Sequence, residues 1–225
     1  MKLKLTETEL KKVIGLVAKR IISESRLLTE ASDPESFNRG VYAARFMMKE
    51  LNLTDYQAAA WAGVCVNENG CDPKKVCKAE KNNKGAAGTR NGGYGAGIGS
   101  STGKSKIKLE RQYGMKVEDM DMDMQLKALA DHYRRKPYLR YLKAAKTIRE
   151  ASNVAILMFA GYFKWDRMPT DADAQRVLDF YAKSNARNFG NSGKSRYYTQ
   201  AYQLRCEAGK KVFQLMRNGS KGSPV

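Results

Sequence analysis

Eight glycines fall between Gly85 and Gly103, and helix-period sequence flanks them on both sides. Each glycine inside a helix costs about 1 kcal/mol relative to alanine. A run this dense cannot continue the flanking helices, so it must form tight loops or short strands. Within it, Asn91-Gly92 is a type I′ hairpin signal between short β-capable pieces. The chain therefore reads as α+β and mostly helical, with a small Gly-rich β-lobe set among helices.

The first helical unit is basic and amphipathic. Leu5, Leu10, Val13, Ile14, Val17, Ile21 and Ile22 recur at helical spacing, with Lys11, Lys12, Lys19 and Arg20 off that face. Thr6 and Glu9 form a capping box, and Thr29–Ser36 carries turn chemistry. Residues 1–32 are thus a helix and linker, which either packs on the main domain, docks on a partner or lies on a membrane. A second helix covers 37–52, with Phe37, Val41, Ala44, Phe46 and Met47 as its apolar positions. A third is opened by a Thr54–Gln57 capping box and stopped by Gly70, with Ala58, Trp61, Ala62, Cys65 and Val66 as its buried stripe. Further helices are expected over 105–113, 122–135, 138–150, 152–165, 171–186 and 196–217. This divides the chain into the N-terminal segment 1–32, a central domain 37–190 and a C-terminal helix and tail 191–225.

Composition narrows the function classes. The longest apolar run, Asn153–Trp165, falls short of the ~18–20 residues that cross a bilayer. The opening residues lack the apolar stretch and cleavage site of a secretory signal. Lys and Arg number 41 against 23 Asp and Glu, a net charge of +18. Such a surface attracts nucleic acid, anionic membrane or anionic wall polymer without choosing among them. His132 is the only histidine and reads as a surface or helix-end residue. Cys65, Cys71, Cys77 and Cys206 lack zinc-site spacing and read as buried small hydrophobes. In "GSSTGKS" the glycine required five positions before Gly103 is replaced by Ile98, which rules against a P-loop. In Asp119–Asp123 the glycine and glutamate of a calcium loop are replaced by Met124 and Ala130, so these acids read as a helix N-terminal cluster. No metal or cofactor is expected.

Glu68 is the candidate for chemistry. It occupies the last turn of an apolar helix, where the macrodipole disfavours a carboxylate and favours the neutral acid. A Gly-rich segment follows closely, so a chain substrate can approach the backbone there. A carboxylic acid kept protonated in such a cleft is what glycosidic cleavage requires.

The blocks "LTDYQAAAWAGVCVNENGCDP", "GAAG" and "GYGAGIGSSTGKSKIKLERQYG" resemble the phage tail lysozyme family. Ala59, Ala60, Gly63, Asn67, Glu68, Gly70 and Pro73 match its first helix. Tyr94, Gly95, Gly97, Ile98, Thr102, Gly103, Leu109, Tyr113 and Gly114 match its next segment. Phe159, Phe163, Arg167, Pro169 and Arg176 are similar to its closing helices. The likeness covers about residues 37–187. Two positions depart from the pattern. Asn69 stands where the family has serine, and Ser100-Ser101 replace its Gln-Trp, removing an amide and an aromatic platform from the sugar site.

The resemblance implies a lysozyme-like domain that cuts the glycan of peptidoglycan, with Glu68 as general acid. From Lys81 to Leu109 there is no Asp or Glu. The second carboxylate is therefore Glu80, because Asp72 reads as a turn residue; otherwise the substrate's own groups complete the reaction. Tyr94, Ser100, Ser101 and Thr102 would line the glycan groove. The N-terminal helix resembles openings on virion proteins of crAss-like phages, which implies docking on other virion proteins through residues 1–28. The chain would be made in the host cytoplasm, carried in the phage particle and act at the host wall. The alternative is a non-catalytic virion protein, or one that binds nucleic acid non-specifically, on a lysozyme-like scaffold. The enzymatic reading expects Glu68 to stay uncharged, with no Lys or Arg paired to it.

Overall fold

The computed structural model describes residues 33–76, 95–99, 103–160, 164–189 and 194–219. The N-terminal helix, the Asn91-Gly92 hairpin and Cys77 lie outside them. Within them the chain is helical: α1 Pro34–Leu51, α2 Asp55–Asn69, α3 Gly103–Tyr113, a 3₁₀ turn at Val117–Asp119, α4 Met122–Arg134, α5 Tyr138–Ala144, α6 Ile148–Ala160, α7 Asp171–Phe189 and α8 Lys194–Gly219. Among the described residues the β-lobe amounts to one antiparallel bridge, Val76 with Ala96.

Helix α2 is the axis of the molecule. Every residue from Gln57 to Asn67 is buried, so it is enclosed on all sides and not merely along the expected stripe. The physical cause is its residue set: alanine, glycine and valine let neighbours approach from every direction. Helices α1, α6 and α8 pack around it. Trp61 donates its indole N–H to the Tyr133 hydroxyl at 3.3 Å and sets its ring against Tyr133 and Phe159. Helix α8 closes the same core with Ala208, Val212 and Met216.

The α2–α8 contact is made through backbone. A Cβ placed on Gly63 would overlap the Gly209 N and Cα and lie 2.7 Å from the Ala208 carbonyl carbon. Glycine at position 63 is what allows the two helix backbones to touch.

Capping chemistry sets the boundaries. Asp33 accepts from Ser36 N at 2.7 Å to open α1, and Asp121 accepts from Met124 N at 2.8 Å to open α4. Asp121 and Asp123 are thus helix-start residues, as their sequence setting suggests, whereas Asp119 is the last residue of the 3₁₀ turn. Thr54 N donates to Gln57 Oε1 at 3.0 Å, and Gly70 ends α2 at φ +73°.

The 138–150 and 152–165 boundaries are corrected. Helix α5 stops at Ala144 because the Ala145 carbonyl accepts from Tyr56 Oη at 2.9 Å and from Gln57 Nε2 at 3.0 Å. A new helix begins at Ile148, where Glu150 N donates to Thr147 Oγ1 at 3.2 Å and Lys146 N to Glu150 Oε2 at 2.7 Å. Helix α6 ends at Ala160, short of Trp165, whose φ is +55°. The Trp165 carbonyl accepts from Tyr141 Oη at 2.8 Å and Arg140 Nη2 at 3.2 Å.

Candidate active site

The C-terminal end of α2 is stapled to the Gly-rich segment by side chains. Asn69 Nδ2 donates to the Gly97 carbonyl at 2.6 Å and the Ile98 carbonyl at 2.9 Å. Its Oδ1 accepts from Cys71 N at 3.1 Å. Asparagine reaches both sides of this junction, which a serine hydroxyl is too short to do. The replacement therefore has a structural explanation.

Gln125 of α4 secures the segment from beneath. Its Oε1 accepts from Ile98 N at 2.9 Å, and its Nε2 donates to the carbonyls of Pro73 and Val117, each at 2.8 Å. Gly97 has φ +71°, and a Cβ there would overlap Gln125 Oε1 and lie 2.6 Å from Val117 Cγ1. Gly97 N donates to the Lys75 carbonyl at 2.8 Å. Nothing in the sequence distinguishes Gln125 from an ordinary polar helix residue, so its role emerges only from the fold.

Glu68 stands at this junction with its side chain 32% exposed. It does not stand alone. Arg205, on α8, points Nε and Nη2 at the same carboxylate oxygen, Oε1, with Nε at 3.1 Å. The Arg205 side chain is only 5% exposed. Among the described residues no hydrogen bond reaches Oε2. A second cation serves the helix end itself: Arg39 Nε donates to the Gly70 carbonyl at 3.0 Å.

This corrects the expectation of an acid with no Lys or Arg paired to it. The helix terminus does present negative charge, but two arginines compensate it. Arg39 meets the helix carbonyl and Arg205 meets the carboxyl. The sequence signal for this was thin, because Arg205 lies 137 positions from Glu68 and only the packing of α8 brings it there.

The neighbouring side chains are less reactive. Burial pushes the Cys65 thiol well above its ordinary range, and adjacent Cys71 and Glu68 push the same way. It remains a protonated donor to the Ile98 carbonyl at 3.2 Å. Cys71 is buried and Cys206 half-buried; both are free thiols. Asp72 accepts from Lys74 N at 2.8 Å and makes a turn, as expected. His132 is exposed in the last turn of α4, the surface position its neighbours imply. Asn67, next to Glu68, is buried, and among the described residues its amide finds no hydrogen-bond partner. Glu80, Tyr94, Ser100, Ser101 and Thr102 lie outside the described residues. Of the candidate site residues, Glu68 alone is placed. Among the described residues, no cluster of His, Cys, Asp or Glu suits a metal ion, and no helix is long and apolar enough to cross a membrane.

A family model described as phage tail lysozyme matches residues 38–191, most of the chain. The chain belongs to the phage tail lysozyme family. Its function is therefore of the phage lysozyme-like kind, directed at peptidoglycan. No curated protein and no solved structure matches it. Helix α8, which carries Arg205, falls beyond the matched span.

Proposed function

We propose that this chain is a virion-borne glycosidase that cuts peptidoglycan strands during entry through the host wall, with Glu68 as its catalytic carboxyl. The observation that carries the reading is the placement of Glu68. It ends a buried helix, its surroundings are pinned to the Gly-rich segment by Asn69, and among the described residues Oε2 accepts no hydrogen bond.

The ion pair restricts where the proton can sit. With Oε1 accepting from Arg205, Oε1 serves as the carbonyl oxygen of the acid and Oε2 carries the proton. Oε2 then donates to the glycosidic oxygen as the bond breaks. Glu80 is proposed as the base that activates water, or the substrate's N-acetyl or hydroxyl group completes the reaction. Tyr94, Ser100, Ser101 and Thr102 are proposed to line the glycan groove. Residues 1–28 are proposed to dock the enzyme on other virion proteins.

The Glu68–Arg205 pair also favours a second reading, a non-catalytic virion or nucleic-acid-associated protein in which the glutamate is purely structural. Zymography on purified sacculi separates the two. Clearing by the wild type and none by Glu68→Gln supports the enzyme. No clearing by either, together with duplex-DNA affinity that falls steeply with salt, supports the second reading.

A further inference from the structure

We infer that Arg205 is a positioning residue for Glu68, supplied by a helix outside the family-matched span, and that it aims Oε2 at the substrate. The inference rests on the catalytic reading of Glu68 and adds to it the group that orients the acid. A guanidinium buried to this degree is costly unless it is paired, and Glu68 is a charged partner for it. Two N–H groups converge on Oε1. The two donors pin Oε1 from two directions, which a single ammonium point charge would do less well.

The base of the arginine is equally fixed. One helical turn further along α8, Gly209 meets Gly63 backbone to backbone. Neighbouring Leu204 and Ala208 are buried as well. The guanidinium is therefore held at a set distance from the end of α2. With Oε1 held by two donors, exchange of the two carboxyl oxygens is opposed, and Oε2 is the oxygen that accepts no hydrogen bond among the described residues. A proton donor held in one orientation reacts from a larger fraction of its encounters than one free to rotate.

The test uses the full chain with Arg205→Ala, Arg205→Lys and Glu68→Gln, assayed by steady-state kinetics on soluble glycan strands, with thermal melting alongside. Arg205→Ala is expected to lower kcat about tenfold or more while KM stays within about threefold. Adding guanidinium at low millimolar concentration is expected to restore kcat saturably in Arg205→Ala, and sodium chloride at equal ionic strength to leave it unchanged. Arg205→Lys, which keeps the charge without the fork, is expected to fall between, and it serves if the alanine variant fails to fold. Wild-type kcat in either Arg205 variant overturns the inference, as does a variant faster than wild type, which would make Arg205 a restraint. Loss of kcat in Arg205→Ala without guanidinium rescue overturns it too. Undiminished cleavage by Glu68→Gln overturns the catalytic reading itself and the inference with it, whereas an inactive Glu68→Gln beside an unaffected Arg205→Ala removes the inference alone.

Discussion

Single side chains do much of the joining in this molecule. Asn69, Gln125 and Arg205 each connect segments that are distant in sequence. Asp173 does so locally. Its carboxylate accepts from Arg167 Nη1 and Nη2 at 2.6 and 2.9 Å and from Thr170 N at 2.9 Å. Arg167 first, and then the Thr170 backbone and hydroxyl, hold this carboxyl well below the usual carboxylate range. A depressed carboxyl contributes its full stabilisation above the ordinary value of about 4, and loses it as pH falls below that value towards the folded-state one. Asp173→Asn is therefore expected to cost about 1 kcal/mol near neutral pH. The gap should close as the buffer is acidified and the wild type protonates. Chemical denaturation at a series of pH values measures this; a gap constant with pH would contradict it.

At the scale of helices, the α2–α8 crossing is the most demanding feature. Gly63→Ala puts a methyl group against the backbone of Gly209, and backbone cannot move aside as a side chain can. We expect a loss of about 2 kcal/mol or more and a lower melting temperature. Gly114→Ala, whose added Cβ meets nothing, should not perturb packing, although its positive φ of +67° carries a backbone cost of about 1 kcal/mol. Melting curves showing Gly63→Ala no worse than Gly114→Ala would refute the close contact.

Much of this level was readable from sequence. The Thr54–Gln57 box, the Gly70 stop and the Asp121 cap are local signals with local causes. The α5–α6 break was misplaced although its signal was present, since Thr147 and Glu150 form the cap of α6. An apolar run beginning soon afterwards drew the boundary too late. The end of α6 was harder, because the Trp165 turn is held by Tyr141 and Arg140, partners more than twenty positions away.

For the whole molecule, the helical class and the family were legible because they rest on ordered local blocks, from the α2 helix end through the Gly-rich segment to the closing helices. The electrostatic state of the site was not. It depends on α8 folding back over α2, a non-local event that periodicity does not encode. The same folding turns a surface-like glutamate into one half of an ion pair.

The central claim is that glycan cleavage passes through the Glu68 carboxyl. Its most direct measurement is mass analysis of fragments released from purified sacculi by the wild type and by Glu68→Gln at matched folded concentration. Shortened glycan strands are expected from the wild type and none above background from the variant. Equal release from both, or none from the wild type across acidic and neutral buffers, would contradict it.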